Sequence, residues 1–192
     1  LVSSSAASDV YKRQVQTTDD GTAGVLLELN CETDFVSKND DFIKFAKDVA
    51  ALALQSKAKT VEELESATLN GKSVKDTVTD LISTIGENLK LRRVEVVTGG
   101  VVAGYSHMGG KIGTLVALEG GSGDDVKALG KDLAMHVAAS APRYLTSDQV
   151  DTTELDQEKE IARKKLIEEG KPEAMIDKIL VGQMKKFFKE IC

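Results

Sequence analysis

Apolar and polar residues change their spacing along the chain, and these changes predict strand pairs that alternate with helices. Residues 15–18 form a short strand candidate, and Asp19, Asp20 and Gly21 give the turn signal of a β-hairpin. Residues 24–30 are almost continuously apolar, as expected for a central strand. Residues 91–98 are rich in β-branched side chains and predict a third strand.

Between the second and third strands the apolar spacing becomes helical. One amphipathic helix is indicated by apolar residues that recur every three or four positions: Phe42, Phe45, Ala46, Val49, Ala50 and Ala53. A capping box formed by Thr60 and Glu63 opens a short helix. A further helix from about residue 73 ends at Gly86, and its apolar face is Val74, Val78, Leu81, Ile82 and Ile85.

After Gly99 and Gly100 the same order of elements begins again. Residues 101–105 and 112–118 predict a strand pair around a turn at 107–110, and residues 143–145 predict a short closing strand. The helix between them starts near Asp124 and ends before Pro142, with a stripe of Val126, Leu129, Leu133, His136 and Val137. The sequence therefore predicts an α+β fold of duplicated β-β-α(n)-β units with antiparallel sheets.

The last part of the chain has a different, highly charged pattern. Residues 152–169 and 172–191 predict two helices, separated by Gly170 at the end of the first and Pro172 at the start of the second. The second helix carries a narrow apolar stripe: Ile176, Leu180, Met184, Phe187 and Ile191. Mixed charge around such a seam is typical of a projecting antiparallel helical hairpin.

These patterns divide the chain into four segments. Residues 1–14 lack periodicity and are expected to be a non-native or disordered tail, residues 15–98 and 99–147 the two halves of a core, and residues 148–192 the hairpin. The hairpin pattern stops without a helix stop signal, so we expect a truncated hairpin and a fragment of a longer protein.

Composition and charge exclude several classes of function. The net charge of −6 and the pI near 5.1 argue against direct binding to nucleic acid, which favours a basic surface. Two distant cysteines, Cys31 and Cys192, do not form a disulfide framework and fit a reducing compartment. No apolar run approaches the roughly 18 residues of a membrane-spanning helix, so no membrane role is expected.

The residues that carry chemistry do not form a convincing catalytic set. His107 and His136 are the only histidines, and no zinc-binding spacing is present. Glu28, Glu32 and Asp34 alternate and suit either a hard-cation or acid/base site or, more simply, a solvated strand face. The Gly-rich stretches at 109–114 and 120–125 do not match a phosphate-binding loop. We therefore expect no catalytic residues, no metal and no cofactor.

One segment between a predicted strand and a predicted helix places a charge beside an aromatic ring. We call this segment, which carries Asp34 and Phe35, the corner loop. Loops on a rigid scaffold frequently carry functional residues. Phe35 is therefore either a plug for a partner or, with Val36, half of a hydrophobic staple packed on Phe42. Spacing alone leaves both interpretations open and favours the staple.

The residues of the corner loop also resemble a family motif. Residues 30–36, Asn-Cys-Glu-Thr-Asp-Phe-Val, are similar to the Asn-Cys-x-Thr-Asp-Phe-Val signature of the elongation factor Ts family. Further blocks resemble the same family in the same order, at residues 85–93, 111–113, 134–142, 170–172 and 182–187. Together they span residues 15–187.

The resemblance implies a fold and a function. The fold is a duplicated β-β-α-β core with a helical dimerisation hairpin. The function is exchange of guanine nucleotide on the GTPase elongation factor Tu, in its GDP-bound or nucleotide-free form, through binding and without catalysis. By match to the motif, Asp34 and Phe35 reach the Mg²⁺ and phosphate site of the partner, and Ile112, Gly113 and His136 touch it as well.

The resemblance also implies a location and leaves alternatives. It favours the bacterial cytoplasm, or an organelle matrix or stroma, and a homodimer through residues 148–192. The family begins with a small helical domain and continues past the hairpin, and this sequence resembles neither segment. A dimerisation module without exchange activity is the alternative function, and a metal-dependent hydrolase that uses Glu28, Glu32 and Asp34 ranks last.

Overall fold

The computed structural model describes residues 10–192, which form two compact units. The first unit runs through Ala139, and the second comprises Ser140–Cys192. Helices and small antiparallel sheets share the first unit, so the predicted α+β class is confirmed. The sequence left residues 1–9 in a predicted tail, and they lie outside the described residues.

The first unit is built on a three-stranded antiparallel sheet in the order β1-β2-β5. Its strands are β1 (Val10–Thr17), β2 (Ala23–Cys31) and β5 (Lys90–Thr98). Residues 10–14 therefore belong to a strand, and their assignment to a disordered tail was wrong. The pattern missed them because this part of β1 is polar, and buried Arg13 has its partner Glu28 on β2 instead of an apolar contact.

Three helices and a short strand pair connect β2 to β5. They are α1 (Asp40–Ser56), α2 (Val61–Ser66), β3 (Thr68–Leu69), β4 (Lys72–Ser73) and α3 (Val74–Ile85). The predicted stripe of α1 is confirmed, since all six of its residues are buried. These residues form one core with the β2 side chains Val25, Leu27 and Leu29. The apolar face of α3 packs against the same core.

A second, two-stranded antiparallel sheet stacks on β1 and β2 without pairing with them. It consists of β6 (Val101–His107) and β7 (Ile112–Leu118). Glycines permit this close approach, because a methyl group at Gly104 would lie 2.4 Å from Val15 Cγ1 and one at Gly24 would lie 2.8 Å from Val102 Cγ1. Val102, Leu115 and Leu26 fill the space between the two sheets.

Helix α4 (Asp124–Ser140) covers the other face of this small sheet, and only part of its predicted stripe takes part in the contact. Its buried residues are Gly130 and Ala134, whereas Leu129 and His136 of the predicted stripe are exposed. The reason is distance, since a methyl group at Gly130 would lie 2.9 Å from Ala103 Cβ. Small residues therefore face the sheet, and the larger apolar residues lie at the margin of the contact.

The predicted closing strand of the second repeat is absent from the described residues. Residues 143–145 are not a strand; instead the backbone N–H groups of Arg143 and Tyr144 both donate to the carbonyl of Ile191. Local β-propensity was too weak a signal here, because the hydrogen bonds of this segment are made to the end of a helix.

The second unit contains the predicted helical hairpin. Its helices are α5 (Thr152–Glu168) and α6 (Glu173–Ile191), with Gly170 in the left-handed region at the turn. Arg163 of α5 bonds Asp177 of α6 at 3.2 Å, and the two residues are nearly equidistant from the turn, as in an antiparallel pair. The predicted stripe is confirmed as the seam, since Ile176, Met184 and Ile191 are buried.

Within the described part of the chain, no helix has both the length and the apolar character needed to cross a bilayer.

Candidate functional site

The corner loop presents its aromatic ring to solvent. Phe35 is 87% exposed, the highest value among the large apolar side chains of the described residues, and Asp34 is exposed beside it. Val36 is buried in the same core cluster as Phe42. The residue that anchors the loop beneath the helix is therefore Val36, and the staple interpretation is wrong for Phe35.

Backbone and cap hydrogen bonds give the corner loop a defined shape. A single 3-10 turn over Val36–Lys38 leads to Asn39, whose side chain accepts the N–H groups of Asp41 and Phe42 at 2.9 and 3.1 Å. This N-cap satisfies the free donors at the start of α1. The loop thus enters the helix in a fixed direction.

The other side of the corner loop is held from the turn between α3 and β5. Thr33 donates its backbone N–H to Glu87 Oε2 at 3.0 Å and its hydroxyl to Glu87 Oε1 at 2.6 Å. The same hydroxyl accepts the Val36 N–H at 3.4 Å. Next to this pair, Asn88 donates to Glu32 Oε1 at 2.7 Å. Two loops that are far apart in sequence are therefore joined at Glu32 and at Thr33.

Cys31, at the end of β2, is a buried thiol. Its Sγ donates to the carbonyl of Thr33 at 3.3 Å. Burial, together with the negative charges of Glu87 and Asp34, raises the pKa of the Cys31 thiol to about 11. The group is protonated at neutral pH and serves packing, not nucleophilic chemistry.

Glu28 does not form a cation site, because arginines surround it. Arg13 Nε lies 3.2 Å from its carboxylate, Arg92 Nη1 lies at 2.7 Å and Arg93 Nη2 at 2.9 Å. Burial by itself would raise the pKa of Glu28, but the Arg92 hydrogen bond and the charges of Arg93 and Arg13 outweigh it and lower the pKa. Arg13 also donates to the carbonyl of Lys111.

A β-bulge brings two consecutive arginines to this carboxylate. Glu28 pairs with Arg93, but the next residue, Leu29, pairs with Leu91, so Arg92 is the extra residue. In a regular strand Arg92 and Arg93 would point to opposite faces. The three carboxylates considered for a metal do not converge, and no group of metal-ligand residues was found in the described region.

Ile112 and Gly113, at the start of β7, have different surroundings. Ile112 is half-buried, whereas Gly113 is buried, and a methyl group there would lie 2.7 Å from Leu26 Cδ1. Gly113 therefore presents no side surface to a partner, and its place in the site is to allow the close approach that positions Ile112. Of this pair, only Ile112 offers a side chain for binding.

His136 lies on α4, near the same end of the second sheet. Its side chain is exposed, although the sequence places His136 on the apolar stripe of this helix. The Thr114 hydroxyl donates to the carbonyl of Ala134 at 2.8 Å and ties this part of α4 to β7. Thr114 is two residues from Ile112 in sequence, and Ala134 is two residues from His136.

The tip of the β6–β7 hairpin lies at the same end of the β1–β2 pair as the corner loop. Gly110 in this tip packs on Lys12, which pairs with Leu29, two residues before the end of β2. Met108 beside it is 64% exposed. We group the candidate residues Asp34, Phe35, Ile112 and His136 with exposed Met108 under the name corner surface.

Sequence reasoning missed two members of this arrangement. The sequence places Met108 in a turn and Glu87 within the block at residues 85–93 that resembles the family, and it indicates no role for either side chain. The sequence does indicate that Glu87 lies in a short turn, because it follows Gly86 at the end of a helix and lies three residues before β5. What it bonds depends on the tertiary structure alone.

Comparison with known proteins adds a family match. The family model described as "Elongation factor TS" matches residues 32–192. The chain is 44% identical to a protein named elongation factor Ts from Magnetococcus marinus, over 93% of this chain and 61% of that protein. It is 47% identical to the one from Syntrophotalea carbinolica, over 91% of this chain and 59% of the relative. The one from Halothermothrix orenii is 43% identical, over 93% and 61%.

The chain thus spans about three-fifths of the length of the curated relatives that it matches.

Proposed function

The chain belongs to the elongation factor Ts family, and we propose that it is a guanine-nucleotide exchange factor that binds the GTPase elongation factor Tu and promotes GDP release during translation elongation. The observation that carries this proposal is the exposure of Phe35 on a loop that is anchored on both sides. Burial of a large, solvent-exposed apolar ring by a partner lowers the free energy and favours binding. The corner surface is therefore built to enter another protein.

The proposed mechanism is coupled binding and involves no covalent step. Phe35 inserts near the Mg²⁺ and phosphate site of elongation factor Tu, and Asp34 beside it adds a negative charge that competes with the phosphate. A factor that stabilises a partner conformation with a disrupted nucleotide site weakens nucleotide binding, and by linkage the nucleotide weakens the factor equally. GTP binding then releases the factor.

The other residues of the corner surface enlarge the contact. Ile112 adds apolar area and exposed His136 adds a hydrogen-bonding group, while Gly113 only holds β7 in place. Burial of one Phe ring contributes roughly 1.5–3 kcal/mol. That is about tenfold to somewhat over a hundredfold in affinity, so Phe35 is a large contributor but not the whole interface.

The test measures release of labelled GDP from elongation factor Tu. We expect the wild-type chain to accelerate release and Phe35→Ala to slow it at least tenfold, because the ring is the inserted group. Since Phe35 is exposed, its removal should change the free energy of unfolding by less than about 0.5 kcal/mol.

Leu145→Ala is the matched control, since Leu145 is a 63% exposed apolar residue outside the corner surface. It should leave GDP release unchanged. A wild-type chain that does not accelerate release at any concentration would contradict the proposal.

The proposal includes the cellular compartment in which the protein acts. The named relatives come from bacteria, which supports action in a bacterial cytoplasm, with an organelle matrix or stroma as the alternative.

A second candidate function, dimerisation, has its own support in the hairpin. Beyond the buried seam, α5 and α6 expose Ile161, Ile167, Met175 and Val181 at 54–62%. A groove of about 330 Å³ on α6 is lined by Leu180, Val181, Met184 and Phe188. Exposed apolar side chains on a helix pair favour association with a second copy.

Sedimentation equilibrium tests the dimer. A concentration-dependent dimer that Val181→Glu disrupts would support self-association. A monomer at all concentrations, together with normal GDP release, would leave exchange as the function of the described chain.

A further inference from the structure

We propose that Glu87 is a positioning residue for exchange, whose carboxylate holds the corner loop in the conformation that enters the partner. This inference rests on the proposed function above. Glu87 contacts neither Phe35 nor any group that we assign to the partner contact, so its effect must pass through Thr33.

The geometry shows how one carboxylate fixes the loop. Both oxygens of Glu87 are used, one by the Thr33 N–H at 3.0 Å and one by its hydroxyl at 2.6 Å. Hydrogen bonds to a charged acceptor are stronger than those between neutral groups. Since the Thr33 hydroxyl also accepts the Val36 N–H, Glu87 orients both residues that flank Asp34 and Phe35.

The position of Glu87 makes it a rigid support. It follows Gly86, which ends α3 in the left-handed region, and Leu89 after it is buried in the core. The carboxylate therefore projects from a short turn that is fixed at both ends. A loop held by such a turn keeps its shape without packing of its own ring.

Phe35 needs this support because nothing packs against it strongly enough to orient it. At 87% exposure its direction depends on the backbone alone. Val36 anchors the loop on the helix side, and Glu87 anchors it on the strand side. Without Glu87 the segment from Glu32 to Phe35 gains conformational freedom, and binding must then order it again.

This role predicts a specific kinetic signature. If only a fraction of the molecules hold the competent conformation, the apparent dissociation constant rises in inverse proportion to that fraction. The maximal rate of GDP release at saturating factor stays the same, since the complex that forms is unchanged. Loss of Phe35 itself also lowers the maximal rate, because the inserted group is missing.

The experiment uses Glu87→Gln in the full chain. The amide keeps the size of the side chain but offers one acceptor oxygen, so one Thr33 donor loses its partner. We expect the concentration for half-maximal GDP release to rise about tenfold, with the maximal rate within twofold of wild type. In the Phe35→Ala background the same substitution should change that concentration less than twofold.

Hydrogen exchange of the free chain gives a readout that needs no partner. The backbone N–H groups of Thr33 and Val36 should exchange at least tenfold faster in Glu87→Gln, while those of the β2 core stay protected. Should Glu87→Gln fail to fold, Thr33→Val removes the hydroxyl that donates to Glu87 and leaves the backbone N–H bond of residue 33 in place. It should also raise the half-maximal concentration, and it should accelerate hydrogen exchange at Val36.

Glu32→Gln is the matched control, because a Gln oxygen can still accept the Asn88 amide and no bond to Thr33 is lost. It should resemble wild type in both measurements. The inference is overturned if Glu87→Gln leaves the half-maximal concentration unchanged, weakens binding equally with and without Phe35, or leaves the Thr33 and Val36 hydrogen exchange unaltered.

Failure of the proposed function has a different signature. In that case the wild-type chain itself does not accelerate GDP release, and hydrogen exchange at Thr33 and Val36 alone decides whether Glu87 fixes the corner loop.

Discussion

The two cysteines of the chain differ in accessibility, and this gives a prediction at the residue scale. Cys31 is buried and its pKa is raised to about 11, whereas Cys192 is exposed. At pH 8 only roughly one Cys31 in a thousand carries the reactive thiolate. We expect a thiol reagent to modify Cys192 rapidly and Cys31 at least a hundredfold more slowly.

Mass spectrometry after partial labelling identifies the modified residue. In denaturant both thiols should react at similar rates. Rapid labelling of Cys31 in the folded chain would show that the end of β2 opens more readily than its burial indicates.

Glu28 gives the second prediction at this scale, and it concerns pH. Its folded-state pKa lies below the ordinary value of 4.5 because the arginines favour the ionised form. A depressed pKa stabilises the fold fully above about pH 5.5. This contribution is lost as the pH falls below 4.5 and through the folded-state pKa.

Denaturant unfolding at several pH values checks this prediction. Glu28→Gln should lower the free energy of unfolding at pH 7 by about 3 kcal/mol, since it leaves three guanidinium groups without their carboxylate. Between pH 6 and pH 3 the variant should lose less stability than wild type. Parallel pH curves for the two proteins would show that Glu28 is not a linked group.

At the scale of elements, glycine content decides how the second sheet meets the first. A methyl group at Gly113 would lie 2.7 Å from Leu26 Cδ1 and 3.0 Å from Val15 Cγ2. Both side chains must shift to admit it. We expect Gly113→Ala to lower the free energy of unfolding by about 1–3 kcal/mol.

Gly182→Ala is the comparison for this substitution. Gly182 lies within α6, has no atom of the rest of the chain within 4 Å of an added methyl group, and gains up to about 1 kcal/mol of helix propensity as alanine. Chemical denaturation should therefore move the two variants in opposite directions. A neutral Gly113→Ala would mean that β7 moves away from β1 at little cost.

Periodicity predicted some elements well and others poorly, and the reason is the neighbour of each element. The stripe of α1 was correct because β2 offers a flat apolar surface that large side chains fill. The stripe of α4 was only partly right: Val126, Leu133 and Val137 are half-buried, but Leu129 and His136 are exposed. The small sheet beneath α4 is approached most closely at Gly130 and Ala134, which the stripe did not include. The sequence of a helix does not show how closely the helix must approach the sheet on which it packs.

At the scale of the whole molecule, the corner surface and the hairpin belong to different units. All five residues of the corner surface lie before residue 140. The exposed apolar side chains of α5 and α6 lie after it. Each unit has its own buried residues. Removal of the second unit should therefore abolish self-association without abolishing nucleotide exchange.

Truncation after Ser140 tests this separation. The shortened chain should unfold cooperatively, keep at least a third of the wild-type acceleration of GDP release, and lose any dimer seen by sedimentation. A truncated chain that is folded but does not promote release would place part of the exchange machinery in the hairpin.

The sequence by itself determined the class of the fold, most element types, the helical hairpin and, through the residues around Asp34 and Phe35, the family. These are local properties, since periodicity, caps and short motifs are written in consecutive residues. It assigned residues 10–14 to a tail because they show no periodicity by themselves and their partners lie on another strand.

Only the tertiary structure decided which apolar residue of the corner loop is buried and which is exposed. Spacing left Phe35 and Val36 as equal candidates for the staple, and burial gave that role to Val36 and left the Phe35 ring in water. The hydrogen bonds from Thr33 to Glu87 and from Thr114 to Ala134 join residues that are far apart in the chain. Such contacts form only when the sheets and helices pack, and no local pattern contains them.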